Sequence, residues 1–170
     1  MFEGQISFEP EFWVSLAEMY VRENDGKGIE FSQFVKLVVE YHRLLEEYSD
    51  NNIKMFKRMK DNGEMSDELF KVLSNKEITV EEFESAGKSI HDEYEEFVKK
   101  SYRGELNREE LYSTYKKAIV LRNKLHKAIT DIIPTILTEY ELPMLYQLSV
   151  IAIVKEMEKQ LDIMALQAMS

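Results

Sequence analysis

The sequence predicts an all-α protein, a single irregular helical bundle of about five to seven helices with a central C-terminal helix. The 170 residues contain only 6 Gly and 3 Pro, too few turn residues for a many-stranded sandwich or barrel. Long segments place apolar residues three and four positions apart, the period of one helix face. Where these segments start, an apolar residue precedes Ser, Thr or Asn, which is typical of a capped helix. We expect one domain over residues 1–170.

In the N-terminal half, residues 10–22 predict the first helix, with Pro10 in its first turn. Residues 5–8 and 28–31 alternate polar and apolar side chains and predict a small β-ribbon. A second helix is expected over residues 32–48, a break over 49–52, a short helix to residue 60 and another over 66–73. The stripe of the second helix consists of Phe34, Val38, Tyr41, Leu45 and Tyr48.

In the C-terminal half, Thr79 can cap a long helix over residues 79–101, with Ile78 packed on Phe83 as a hydrophobic staple. The stripe of this helix consists of Phe83, Gly87, Ile90, Tyr94 and Phe97. The next helix is expected over 107–133, and Pro134 ends or kinks it. The last runs from residue 143 to about 166 and is apolar on nearly all sides as far as residue 154. Beyond that point its stripe narrows to Val150, Val154, Met157, Leu161 and Met164.

The composition excludes several classes of protein. With 44% hydrophobic residues the chain can build a core, so it is not disordered. Without cysteine it has no disulfide, thiol nucleophile or thiolate metal site. The first residues do not join a basic segment to an apolar run, and the most apolar window, residues 142–154, is shorter than the ~20 residues of a membrane span. We therefore expect a cytoplasmic protein without a membrane partner.

The net charge of −10 is unevenly distributed. Residues 1–50 hold 11 acids and 4 bases, whereas residues 101–170 hold 9 of each, and a basic segment covers 99–127. We interpret that segment as a neighbour of the acidic N-terminal third or as a solvated helix face. Nucleic acid is not an expected partner, because the net charge repels it. The alternative is a phosphate- or nucleic-acid-binding face formed by Lys116, Lys117, Lys124 and Lys127.

Residues 23–34 resemble an EF-hand calcium loop and its exiting helix. Glu23 and Asp25 match the first ligand positions of that family, and calcium needs oxygen ligands around a central glycine. However, Lys27 stands at the third ligand position and Gln33 at the twelfth. We therefore attribute the resemblance to helix capping and expect no calcium.

Each of the three histidines precedes a carboxylate by about one helical turn, so an imidazole and a carboxylate can share a helix face. Helical bundles bind metals through such side chains when they project inward. Two of the spacings are similar to parts of the hemerythrin pattern, although the two histidines four apart that this family also uses are missing. The alternative is that each histidine simply pairs with its local acid. The candidate metal ligands are His42, Glu46, His91, Glu95, His126 and Asp131.

The sequence offers little for catalysis, since it has neither a Gly-x-Ser-x-Gly elbow nor a phosphate-cradling glycine loop. We expect a non-enzymatic helical bundle, without a cofactor, that acts through protein–protein contacts as an adaptor, a regulator or a homo-oligomeric assembly unit. A metal-binding bundle is the alternative. The protein partner or second copy is expected on the C-terminal helix, where Met157, Met164 and Met169 form either an adaptable docking seam or part of the core.

Overall fold

A computed structural model describes residues 29–106, 108–139 and 144–169 of the chain. Within these ranges the protein contains seven helices and no strand, which confirms the all-α prediction. The predicted helix over residues 10–22 lies outside the described residues. In chain order the helices are α1 (Ile29–Asp61), α2 (Asp67–Ser74), α3 (Val80–Glu84), α4 (Lys88–Tyr102), α5 (Glu109–Asp131), α6 (Ile133–Glu139) and α7 (Met144–Met169).

Helix α1 is continuous, so the predicted break over residues 49–52 is wrong. The chain between Gly28 and Gly63 contains neither glycine nor proline, and nothing in it interrupts the helical backbone. Because α1 begins at Ile29, the predicted ribbon strand over residues 28–31 is wrong as well.

The polar residues of that predicted break instead make contacts with other helices and loops. The side-chain amide of Asn51 donates a hydrogen bond of 2.6 Å to the hydroxyl of Thr114, which is completely buried. The ammonium of Lys76 lies 2.7 Å from the Asp50 carboxylate, and it lowers the pKa of that carboxyl. Polar side chains therefore join this part of α1 to more distant parts of the chain.

The single helix predicted over residues 79–101 is divided into α3 and α4. The division falls at Gly87, whose φ of +104° is a conformation that side chains with a Cβ rarely adopt. The predicted cap is confirmed, since the Thr79 hydroxyl accepts a hydrogen bond of 3.1 Å from the Glu82 N–H. The start signal was thus identified correctly, whereas the glycine was placed in an apolar stripe when it is the N-cap of α4.

The remaining boundaries follow the sequence closely. Ser66 is the N-cap of α2, as predicted. Helix α5 ends at Asp131 and α6 begins at Ile133, so that Pro134 lies in the first turn of a new helix. No helix in the described ranges combines the length and apolar character that crossing a membrane would require.

The chain divides into two compact units, and the divisions fall within α1, α5 and α7. Among the described residues, the first unit comprises 29–45, 115–139 and 144–166. The second comprises 46–106, 108–114 and 167–169. That residues 1–170 form one domain remains a prediction.

In the first unit, α5 runs antiparallel to α7. Arg122 lies 3.9 Å from Asp162 and His126 lies 4.0 Å from Glu158. The residue numbers of these contacts therefore increase along α5 while they decrease along α7. The C-terminal helix packs against the other helices through the predicted stripe. Its buried row is Val150, Ile153, Val154, Met157, Leu161, Met164 and Ala165.

In the second unit, α2 packs against α4, and a row of aromatic rings extends from α1 through α4 to α3. The ring of Phe56 meets Phe97 edge-on at 5.3 Å, and Phe97 lies 6.4 Å from Tyr94. Phe83 contacts both Tyr94 and His91 at 5.1 Å, stacking on the imidazole. Such contacts stabilise the packing beyond the area that they bury.

Candidate functional site

Helix α7 carries a second row of apolar side chains on the side opposite its buried row. The exposed fractions are 48% for Leu148, 38% for Ile151, 43% for Ile163 and 61% for Leu166. Between these residues lie two exposed lysines, so that one exposed residue recurs every three or four positions. We call this row the outer face of α7; it consists of Leu148, Ile151, Lys155, Lys159, Ile163 and Leu166.

The outer face is unusual because four of its six positions are apolar, in two pairs separated by Lys155 and Lys159. Single exposed apolar residues are common on proteins and need no explanation, whereas exposed apolar residues grouped on one helix face indicate an interaction site. Covering a Leu or Ile side chain completely contributes roughly 1.5–3 kcal/mol relative to full exposure. Four side chains of which only about half is exposed thus leave several kcal/mol available to whatever covers them.

Of the two interpretations of the methionines on this helix, packing in the core is confirmed for Met157 and Met164, and the docking seam is wrong for these two. Met157 is completely buried and Met164 is 3% exposed, so both belong to the core. Met169 is 64% exposed, three positions beyond Leu166. The sequence signal for the outer face was the apolar character of α7 on nearly all sides, but the docking interpretation was offered for the methionines of the core-facing stripe and not for this row.

Acidic residues flank the two lysines of the outer face on both sides of the helix. Glu156 accepts a hydrogen bond of 3.0 Å from Gln160 on one flank. On the other flank lie Glu158 and Asp162, the residues that approach α5, with side chains 38% and 48% exposed. The middle of the outer face therefore combines exposed cations with partly exposed anions.

The structure gives His91 a role in packing. Its Nε2 lies 2.9 Å from the carbonyl oxygen of Phe83, which accepts the hydrogen bond, while the imidazole stacks on the Phe83 ring. The bond connects α4 to α3 across the turn at Gly87. The local partner proposed for His91 was Glu95, which is exposed.

The other two histidines belong to the first unit. His126 lies 4.0 Å from Glu158 on α7, where the sequence suggested Asp131 as its partner. His42 is half-buried on α1, with its ring 6.0 Å from that of Tyr41.

Across the described ranges, no group of three or more His, Cys, Asp or Glu side chains is arranged to hold a metal ion. All six candidate ligands lie in these ranges: His42, Glu46, His91, Glu95, His126 and Asp131. The geometry gives the metal-binding alternative no support, and it stays a prediction that elemental analysis of the untagged protein would test.

A cleft in the second unit is the other concave candidate. Its floor includes Met59 and Phe97, and its volume is about 100 Å³. Charged side chains line it too, and one of them, Glu64, already accepts hydrogen bonds of 2.9 and 3.1 Å at its two carboxylate oxygens from Arg108, which lies outside the cleft. Both bonds come from Nη2 of Arg108, and they join residue 64, in the turn after α1, to residue 108, just before α5. We interpret the cleft as part of the packing.

The basic segment over residues 99–127 is partly paired within the first unit. The Lys124 ammonium lies 3.2 Å from the carboxylate of Glu40, which belongs to the acidic residues 1–50. This contact agrees with the interpretation that the basic segment neighbours the acidic third of the chain. The four lysines considered for phosphate binding are all exposed: Lys116, Lys117, Lys124 and Lys127.

Comparison with protein-family models, with curated proteins and with solved structures gives no match in any of the three. The function is therefore argued from the chain's own side chains. Among the features described above, we select the outer face of α7, because four of its apolar side chains are exposed and do not join the core.

Proposed function

We propose that the protein is a non-enzymatic, cytoplasmic helical module that acts through protein–protein contacts made by the outer face of α7. The observation that carries the proposal is the row from Leu148 to Leu166, apolar at four of its six positions. Helices bind partner helices through anchors at this three- and four-residue spacing. The adaptor, regulatory and assembly roles share this mode of action.

The composition of the outer face suits a protein partner. The two lysines stand in the middle of the face, where protein interfaces usually carry few charges, but long lysine stems can cover apolar surface while the ammonium stays in water. Lys155 and Lys159 can act in this way between the two apolar pairs. Nothing in this chemistry requires a metal or a cofactor.

Photo-crosslinking inside cells that naturally contain the chain tests the proposal. Benzoylphenylalanine is placed at Ile151 in one variant and at Ile163 in another. A matched control carries it at Val120, an α5 residue that is 55% exposed and lies outside the outer face. We expect both outer-face positions to capture the same protein, identified by mass spectrometry, and Val120 not to capture it.

The captured protein can be a second copy of the chain or a different protein, and either result supports contacts through this face. Adding Leu148→Glu to the crosslinking chain should abolish capture, because a carboxylate would have to be buried in the interface. Equal capture from Val120, or none from either outer-face position, would contradict the proposal.

A further inference from the structure

A larger cavity adjoins the cleft of the second unit. Its volume is about 450 Å³, within the range of roughly 300–1,000 Å³ that is typical of small-molecule binding sites. The cavity shares Met59, Glu64 and Lys100 with the cleft, and all of its lining residues belong to the second unit. None of them belongs to the outer face of α7, so a ligand bound here is independent of the proposed function.

Backbone hydrogen bonds hold the walls of the cavity. After α1, the Glu64 N–H donates a bond of 2.7 Å to the carbonyl oxygen of Met59. After α4, the Glu105 N–H donates a bond of 3.0 Å to the carbonyl oxygen of Lys100. In both turns a glycine at positive φ precedes the donor, which is a common way to end a helix. The cavity therefore exists before a ligand binds, and little ordering of the chain opposes binding.

Four charged residues line the cavity, and three of them are paired. Glu64 accepts hydrogen bonds at both oxygens from Nη2 of Arg108. Glu105 lies 3.3 Å from the guanidinium of Arg103, which is outside the lining. The fourth is the half-buried Lys100, whose ammonium forms no ion pair with any residue that the structure describes. Lys100 thus leaves the cavity with one uncompensated positive charge.

The acids of the adjoining cleft do not neutralise this charge, because they have other partners. Glu93 accepts hydrogen bonds from Ser66, and Glu96 lies 3.8 Å from Arg103. An acceptor for the Lys100 ammonium must therefore come from a ligand or from water.

Arg108 adds unused donors to the same cavity. A guanidinium has five N–H groups, and both bonds to Glu64 come from Nη2. Its Nε is buried without an acceptor, and Nη1, which is not buried, has no acceptor within the described ranges either. Lys100 and Arg108 thus both present donors that a ligand can use.

We infer that the cavity binds a small organic anion, a carboxylate that carries an apolar chain. The carboxylate accepts hydrogen bonds from the Lys100 ammonium and from Nη1 of Arg108, and it neutralises the unpaired charge. Such charge-assisted bonds are roughly twice as strong as neutral ones. The apolar chain packs on Met59 and Leu106, the two apolar side chains of the lining.

Three probes separate the contributions of charge and apolar chain. Octanoate carries both, octanamide lacks the charge, and acetate lacks the chain. Each is titrated into the full-length chain with isotope-labelled methionine methyl groups, and Met59→Leu identifies the signal of Met59 in the NMR spectrum. We expect octanoate to shift this signal and the other two probes to bind roughly tenfold more weakly. The signal of Met157, which does not line the cavity, should stay in place.

Variants of the charged residues test the assignment of the donors. Lys100→Gln should weaken octanoate binding roughly tenfold, whereas Lys100→Arg keeps the charge and should retain most of the affinity. Lys99→Gln is the matched control, because Lys99 is exposed and lies outside the lining. Glu64→Gln should bind octanoate more tightly than the wild type, because it removes a negative charge from the cavity and releases Arg108. Circular dichroism verifies that each variant is folded.

Three results would overturn the inference. If octanoate leaves the Met59 signal in place at every concentration below its micelle point, the cavity does not bind this class of ligand. Equal affinities for octanoate and octanamide would show that the charge plays no part. Equal losses in Lys100→Gln and Lys99→Gln would show that the attraction comes from the surface in general and not from the unpaired lysine.

Discussion

Glu93 on α4 binds the N-cap of α2 through both of its carboxylate oxygens. One oxygen accepts a hydrogen bond of 2.9 Å from the Ser66 N–H, and the other accepts one of 2.5 Å from the Ser66 hydroxyl. The same hydroxyl accepts a hydrogen bond of 3.1 Å from the Leu69 N–H. A negative charge at a helix N-terminus is favourable, so this pair both starts α2 and holds it against α4.

Replacing Ser66 with alanine should lower the free energy of unfolding by about 1–2 kcal/mol, because the helix cap and the bond to Glu93 are lost together. Ser66→Thr retains the hydroxyl and should be close to the wild type. Ser85→Ala is the matched control, since Ser85 is exposed and its hydroxyl donates a hydrogen bond to a carbonyl of its own turn, that of Glu81. Urea unfolding of the wild type and the three variants measures these differences. Equal midpoints for Ser66→Ala and Ser85→Ala would contradict a stabilising role of the cap.

Tyr41 predicts a pH dependence at high pH. The residue is 3% exposed, and its burial, together with the nearby charge of Glu156, raises the pKa of the phenol from 10.0 to about 12. The phenol therefore ionises more readily in the unfolded chain. Its contribution to stability is complete below pH 10 and is lost as the pH rises from about 10 to about 12.

The loss should amount to roughly 2–3 kcal/mol if the whole difference in pKa is realised. Urea unfolding at a series of pH values measures it by comparing the wild type with Tyr41→Phe, since lysines ionise in the same range in both proteins. The wild type should lose stability more steeply than the variant. Tyr102→Phe changes a residue that is 86% exposed and should follow the wild type. Parallel curves for all three proteins would show that Tyr41 does not titrate in this way.

The hydrogen bond between Asn51 and Thr114 predicts a cost for removing its buried acceptor. Thr114→Val keeps the shape of the side chain but leaves the half-buried Asn51 amide without this bond, so we expect a loss of about 1–2 kcal/mol. Thr130→Val is the control, because Thr130 is exposed and bonds within its own helix. Its stability should change by less than about 0.5 kcal/mol. If the two valine variants unfold at the same urea concentration, the buried bond adds nothing measurable.

The helical class and most helix starts could be predicted because capping and apolar spacing are local properties of the sequence. Ser66 and Thr79 cap the helices that they were expected to cap. The lack of glycine and proline was a local sign that α1 is continuous, but the polar residues 49–52 were taken for a break, because a local pattern does not show that Asn51 has a partner 63 residues away. Gly87 was misassigned because spacing alone does not distinguish a glycine within a stripe from one at positive φ.

The sequence analysis named the helix that carries the candidate site, but not the residues that form it. Apolar residues on nearly all sides of α7 indicated the importance of this helix, but a sequence does not state which of two apolar rows faces the core. The structure assigns Met157 to the core and leaves Ile151 and Ile163 partly exposed. The partner of His126 was not predicted for a similar reason, because Glu158, which lies 4.0 Å away, belongs to α7 and not to the helix of His126.

Photo-crosslinking from the outer face tests most directly whether this face makes protein contacts. We expect benzoylphenylalanine at Ile151 and at Ile163 to capture the same protein, and the same label at Val120, which is 55% exposed, not to capture it. The capture should disappear when Leu148→Glu is added, because a carboxylate would have to be buried in the interface. Equal capture from Val120, or none from either outer-face position, would contradict the account.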